Sequence, residues 1–296
     1  MTIMGVDLIQ ETVHVQVVYG EANISHLKNV LIPALRKSSQ RPIKLLTINY
    51  NPKSQVHLET DRDTGFELID VTNTSKVATG FAANHNFLFR TSNPSEFFII
   101  LNPDCVPQAG CIDILIERKK REKGVAIVEG RQWPFEHPKE YDPQTLDTPW
   151  SSGAFALIDS RFYSSVGGMD ELYFLYVEDV DLSWQAWLNN YRVIYEPKAS
   201  VVHYSGGPFY RADIISSEQY FSLRNFLLIS KKFFGNKGEI RARRMLKDYH
   251  DKHLAEMALQ DYDKNIKPYI KSTYDGRTHP NLKILGINLF HNLRFS

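Results

Sequence analysis

The stretch Phe97-Phe98-Ile99-Ile100-Leu101-Asn102-Pro103-Asp104 decides how the rest of the chain reads. Five apolar residues in succession make a strand apolar on both faces, as strands inside a parallel sheet are. Pro103 lacks the N–H a ladder needs, so the strand stops and Asp104 stands at its carboxyl end. In open α/β sheets the crevice beyond those ends receives ligands, and a carboxylate there meets one. Asn-Pro-Asp is also an ordinary turn, and taken alone Asp104 reads more readily that way.

Working outward, residues 13–19, 43–49 and 66–71 are β-rich, while Leu27, Val30, Leu31 and Leu35 recur at helical spacing and 79–90 reads as a helix. Downstream, a helix carries Ile112, Leu115 and Ile116, and 125–128 is a further strand. The alternation predicts an α/β fold, a doubly wound and mostly parallel sheet flanked by helices. Residues 132–149 are proline-rich and aperiodic, a long loop of the kind that lies beside a site. A strand over 154–158, a helical turn at 161–166 and a Gly167-Gly168 turn follow. Residues 178–190 read as a helix with Val180, Trp184, Trp187 and Leu188 on its apolar side, and 192–195 and 200–204 as strands. After Gly206-Gly207-Pro208 the periodicity is helical only, over about 213–234 and 239–261. The expected organisation is a body, 1–212, and a C-terminal helical extension, 213–296.

The chain of 296 residues is 43% hydrophobic and 23% charged, which excludes global disorder and fibrous repeats. No apolar run approaches the ~20 residues of a membrane span, and the start lacks the pattern of a signal peptide. Two cysteines, Cys105 and Cys111, suggest a reducing, cytoplasmic setting. There is no P-loop, no G-x-G-x-x-G after the first strand and no G-x-S-x-G. The formal net charge of +1 conceals a division, since residues 1–219 sum to −7 and 220–296 to +8. The basic tail is either a solvated helical surface or one that meets an anion.

Two further places carry chemistry. Asp170, Glu171, Glu178, Asp179 and Asp181 cluster around Tyr173, Phe174, Leu175 and Tyr176. Acidic residues favour a helix's first turn, but aromatic neighbours also desolvate a carboxyl and raise its pKa, which suits a general base. His203 ends a strand; such a residue is usually structural, yet imidazole is also a common metal ligand.

In combination these pieces resemble the bacterial family 2 inverting glycosyltransferases of GT-A fold, particularly the branch containing rhamnosyltransferases. The resembling stretches are Gly80-Phe81-Ala82-Ala83-Asn84-His85-Asn86, the strand ending in Asp104, Ser152-Gly153-Ala154-Phe155 and Val166-Gly167-Gly168-Met169-Asp170-Glu171. They continue with Tyr176-Val177-Glu178-Asp179-Val180-Asp181-Leu182, Pro197 through His203, and the aromatic-then-Arg-Asn run from Tyr220 to Asn225. The similarity covers about residues 13–235. It implies that Asp104 and His203 hold a divalent metal, Mg²⁺ or Mn²⁺, against a nucleotide diphosphate. It implies that Glu178-Asp179 is the base motif, with Asp179 the proton acceptor, and that Gly153 and Ala154 line the donor sugar. Tyr19, Glu21, Asn49, Asn84 and Asn102 fall at positions that would meet the nucleotide sugar.

The sequence departs from the family at Tyr19-Gly20-Glu21 in place of Tyr-Asn, at Asn49 and Asn51 in place of an Asp, and at Asn102 in place of the first D-x-D carboxylate. The resemblance implies transfer of a sugar from a dTDP- or UDP-linked donor to a glycan or lipid-linked acceptor in surface polysaccharide synthesis. The alternatives are a catalytically silent GT-A domain that binds glycan or scaffolds an assembly, and a metal-dependent phosphohydrolase. Lys231, Lys232, Arg241, Arg243, Arg244 and Lys247 are expected to face an anionic membrane or lipid-linked phosphate from the cytoplasmic side. No nucleic-acid partner is expected.

Overall fold

The computed structural model describes residues 11–136, 139–204, 212–271 and 274–283, with side chains from 217 onward in the third of these. In chain order the elements begin with β1 (Val13–Tyr19), then α1 (Ile24–His26), which runs through a π-helical turn into α2 (Ile32–Leu35). Next come β2 (Ile43–Asn49), β3 (Asp61–Asp63), β4 (Phe66–Val71), α3 (Phe81–Ser92), β5 (Phe97–Leu101), β6 (Cys105–Pro107) and α4 (Cys111–Arg121). The series ends with β7 (Val125–Trp133), β8 (Phe155–Asp159), α5 (Ser160–Ser165), α6 (Glu178–Leu188), β9 (Arg192–His203), α7 (Ala212–Lys247) and α8 (Lys252–Asp261).

The strands form one sheet in the order β3-β4-β2-β1-β5-β8-β7-β9-β6. Strands β4, β2, β1 and β5 are mutually parallel, and the other half is mixed: β8 runs antiparallel to β5 and β7, β9 parallel to β7. Alternation along a strand sends side chains to opposite faces. Phe97, Ile99 and Leu101 therefore join Val15, Leu31, Leu115 and Ile194 in one apolar layer. Phe98 and Ile100 join Trp184, Phe226 and Phe233 in the other, so α6 and the C-terminal helices share one core.

Several expected boundaries moved. The segments at 192–195 and 200–204 are one strand, β9, because β7 continues beside it to Trp133 across a register shift at Gly130/Arg131. Gly130 is required there, since a Cβ would stand 2.2 Å from the Phe155 ring. Residues 132–133 thus belong to the sheet and not to the long loop. The helix expected over 239–261 is broken, because α7 ends at Lys247 and Asp251 caps α8 by accepting the Leu254 N–H. Within α7 the chain bends at Gly235, whose φ of 60° is non-helical. The short strands β3 and β6 carry no pattern long enough to read from sequence. The Gly206-Gly207-Pro208 turn lies outside the described residues.

Candidate active site

The end of β5 and the end of β9 meet through β6. Cys105 pairs with His203 in an antiparallel register, which brings Asp104, one residue earlier, against the imidazole. His203 Nε2 lies 3.3 Å from Asp104 Oδ1, and its Nδ1 lies 2.7 Å from Gln132 Oε1 on β7. The Gln132 contact thus holds the ring with Nε2 turned toward the carboxylate. Two lone-pair donors face each other attractively only around a proton or a cation. This oxygen and nitrogen pair fits a small divalent ion. Cys105 completes a group whose ligand atoms lie within 4.8 Å of one another, but its thiol donates to the Ala154 carbonyl at 3.6 Å.

Ala154 links this pair to the acidic cluster. Its carbonyl also accepts the Asn102 N–H at 2.8 Å, and the neighbouring Gly153 N–H donates to Asp179 Oδ2 at 2.9 Å. The second Asp179 oxygen accepts its own helix's Val180 N–H at 2.8 Å. Asn102, Asp104, Gly153 and Asp179 are all half-buried, and these hydrogen bonds join them in a strip with the Asp104–His203 pair at one end and the Asp179 carboxylate at the other. Glu178 differs from its neighbour. Its side chain is buried, and that burial, reinforced by the charge of Asp179, pushes its carboxyl well above the usual range.

The remaining expected residues lie around the first strands. The Tyr19 hydroxyl donates to Asp70 Oδ2 at 2.8 Å, joining Thr47 Oγ1 and the Leu58 N–H on the same buried carboxylate. Asn49 is buried and donates to the Val56 carbonyl, while its oxygen accepts the Asn51 N–H. Asn84 is spent at the start of α3, donating to the Thr79 and Gly80 carbonyls and accepting from the Thr79 hydroxyl. Glu21 is exposed. Tyr50 packs its ring on Gly20, where a Cβ would lie 2.5 Å away, and is 45% exposed.

Three supports escaped sequence reading. Gln132, which orients His203, was placed in a loop. Glu129 and Lys139 form a buried ion pair at 2.6 Å, and Glu129 also accepts the Ser152 N–H while Lys139 donates to the Trp150 carbonyl, which fastens the segment before Gly153. Asp70 gathers the donors just described; a lone Asp at the end of a β-rich run gave no signal of this.

The expected basic patch is smaller than anticipated. Lys232 is buried between Asp170 at 2.7 Å and Asp181 at 2.8 Å, facing the core and not an outside anion. Lys231 and Arg243 turn to Glu239, and Arg243 also pairs with Asp263. Arg241, Arg244 and Lys247 are exposed, three residues apart along α7. Leu282 is buried in the core, and residues beyond Lys283 lie outside those described. No helix among the described residues is long and apolar enough to cross a membrane.

No protein-family profile matches the chain. Over 144 residues it is 32% identical to an N-acetylglucosaminyl-diphospho-decaprenol L-rhamnosyltransferase of Mycobacterium tuberculosis, covering 37% of this chain and 47% of that protein. Over 70 residues it is 36% identical to the rhamnosyltransferase WbbL of Escherichia coli, covering 23% of this chain and 26% of that protein. The chain thus matches less than half the length of these curated relatives. Its fold is that of GalNAc-T7, solved with UDP, GalNAc and Mn²⁺, with a TM-score of 0.57, 11% identity, and coverage of 88% of this chain and 56% of that one. The chain thus has the GT-A fold and, over part of its length, resembles rhamnosyltransferases in sequence.

Proposed function

We propose that the protein is an inverting glycosyltransferase that moves a sugar from a nucleotide-diphosphate donor to a hydroxyl of a glycan or lipid-linked acceptor in bacterial surface polysaccharide synthesis. The observation that carries this reading is the strip in which Ala154 and Gly153 connect the Asp104–His203 pair to the Asp179 carboxylate. A donor lying along that strip has its diphosphate at one end and its anomeric carbon near the other. Asp104 and His203 would hold the divalent ion, which when bound supplies positive charge to the departing diphosphate oxygens.

The chain's own groups account for the rest. The acceptor hydroxyl oxygen attacks the anomeric carbon from the face opposite the diphosphate, the carbon–oxygen bond to phosphate breaks, and the hydroxyl proton passes to Asp179. One displacement inverts the anomeric configuration. Burial pushes the Glu178 carboxyl well above its ordinary range, while the half-buried Asp179 is the member of the pair that faces the strip. Gly153 and Val180 amides orient that carboxylate. The relatives' printed names support a rhamnosyl donor and a lipid-linked acceptor. For the latter, the exposed Arg241, Arg244 and Lys247 offer a cationic face to an anionic membrane.

The test is a panel of dTDP-, UDP- and GDP-linked sugars with Mn²⁺ or Mg²⁺, scored for donor turnover. Asp179→Asn is expected to lower turnover by about 10² to 10⁴-fold, and Asp104→Asn to abolish its stimulation by metal. Absence of turnover with every donor, or an Asp179→Asn variant as active as the parent, refutes the reading.

A further inference from the structure

The loop that delivers the acidic pair is held in an unfavourable shape by the C-terminal helices. Tyr176 and Val177, immediately before Glu178, have φ of 70° and 74°. Left-handed backbone is uncommon for non-glycine residues and a marked outlier for β-branched valine. Such backbone persists only where its surroundings over-determine it.

The surroundings here are a row of captured carbonyls. The Phe174 oxygen accepts the Phe81 N–H at 2.8 Å, from the first turn of α3. The Leu175 and Tyr176 oxygens both accept from Asn225 Nδ2 of α7, at 2.8 and 2.7 Å. Asn225 is completely buried. Its orientation follows from its partners, because Oδ1 faces Arg224 Nε at 3.0 Å and Nη2 at 2.9 Å, which only donate, while the two carbonyls only accept. Arg224 is anchored in turn by Asp261 and the Leu172 carbonyl. One carboxamide thus uses both donors on the turn and its oxygen on the residue that fixes it.

We propose that Asn225 is a positioning residue for the transfer reaction, holding Tyr176–Val177 left-handed so that Asp179 enters the strip against Gly153. The proposal rests on the reading of Asp179 as proton acceptor. Without the two donors, both carbonyls lose the Asn225 amide that fixes them, and the turn relaxes by rotating its peptides. The first turn of α6 moves with it, and the Asp179–Gly153 contact opens. The C-terminal helices are by this account part of the catalytic assembly, acting through the turn and not on the reacting atoms.

The experiment uses the full chain and three substitutions. Asn225→Leu keeps the shape and removes the donors; Asn225→Asp keeps the Arg224 contact and replaces the donors with an oxygen. Tyr176→Gly supplies a residue that takes positive φ without steric cost. The donor found active in the panel gives kcat and KM, calorimetry gives affinity for the nucleotide diphosphate with Mn²⁺, and thermal melting gives stability. Asn225→Leu is expected to lower kcat by about a hundredfold, the scale of a small misplacement of a catalytic group. KM and nucleotide affinity should stay within about twofold, because the metal end is untouched. In the Tyr176→Gly background the same step should cost less, both in kcat and in melting temperature.

A folded Asn225→Leu with parental kcat overturns the proposal, as do kcat and KM moving together or melting losses that simply add. If Asn225→Leu does not fold, Asn225→Asp is read in the same way. If the parent protein turns over no donor, the reading of Asp179 has failed. The melting cycle then judges the clamp alone, coupled losses supporting it and additive losses refuting it.

Discussion

Glu178 and Asp179 are adjacent, carry the same functional group and behave differently because one faces the core and the other the strip. Glu178 Oε2 is buried and makes no hydrogen bond among the described residues, and burial, with Asp179 beside it, lifts its carboxyl well above the ordinary value of 4.5. The sign of the pH effect follows. A carboxyl whose folded pKa is raised contributes its full stability below the unfolded value and loses it as pH rises through the folded one. Glu178→Gln, neutral throughout, lacks that loss. Denaturation midpoints of the two proteins should therefore diverge as pH rises from about 4.5, with the variant gaining on the parent, until Glu178 ionises in the fold. Parallel curves across that window would contradict a neutral Glu178. At the metal end the decisive residue is again a neighbour, since Gln132 selects which ring nitrogen of His203 points at Asp104.

Among elements, α6 and α7 are joined by a buried ionic clasp. Lys232 of α7 sits between Asp181 of α6 and Asp170, its side chain 5% exposed and that of Asp181 1%. Burial alone works against the ammonium charge, but Asp181 and Asp170 outweigh it and hold Lys232 above its ordinary range. Removing one partner of a buried pair leaves an uncompensated charge, so Lys232→Met should destabilise the protein by about 3–5 kcal/mol in denaturant titrations near neutral pH. The loss should shrink toward acid pH, where Asp181 takes up a proton. A loss below about 1 kcal/mol, the range of exposed pairs, would mean that the clasp is solvated. Trp184 and Phe233, edge to face with centroids 5.1 Å apart, bind the same two helices through apolar contact.

At the scale of the molecule, the opposed charges of body and tail are partly consumed inside the protein. Lys232 meets Asp170 and Asp181, while Arg243 meets Glu239 and Asp263 within the tail. Of the six basic residues expected to meet an anion, Arg241, Arg244 and Lys247 are exposed. At roughly 1 kcal/mol per basic residue near an anionic surface, three of them change membrane affinity by roughly a hundredfold. Flotation should show binding to phosphatidylserine-containing vesicles at low salt, loss at high salt, and loss in a variant with all three changed to Gln. Equal flotation with neutral vesicles, or binding indifferent to salt, would remove the electrostatic account.

The sheet was legible because β5 states its own burial. Phe97 to Leu101 are apolar without interruption, and only a strand covered on both faces uses such a run. The positions of Asp104, Asp179 and His203 were legible too, since strand ends and helix starts are punctuated by proline, acidic residues and changes of period. Local pattern also set the extent of α3 to within two residues at each end, but it could not see that β7 runs on beside β9 or that α8 is a separate helix. Those follow from partners distant in sequence. The tertiary structure alone decided which carboxyl of the Glu178–Asp179 pair is buried, which nitrogen His203 presents, and that Lys232 is an internal cation. It also showed that Asn225 holds the turn before the acidic pair. Each of these depends on desolvation or on a hydrogen-bond partner, and neither has a period that a sequence can display.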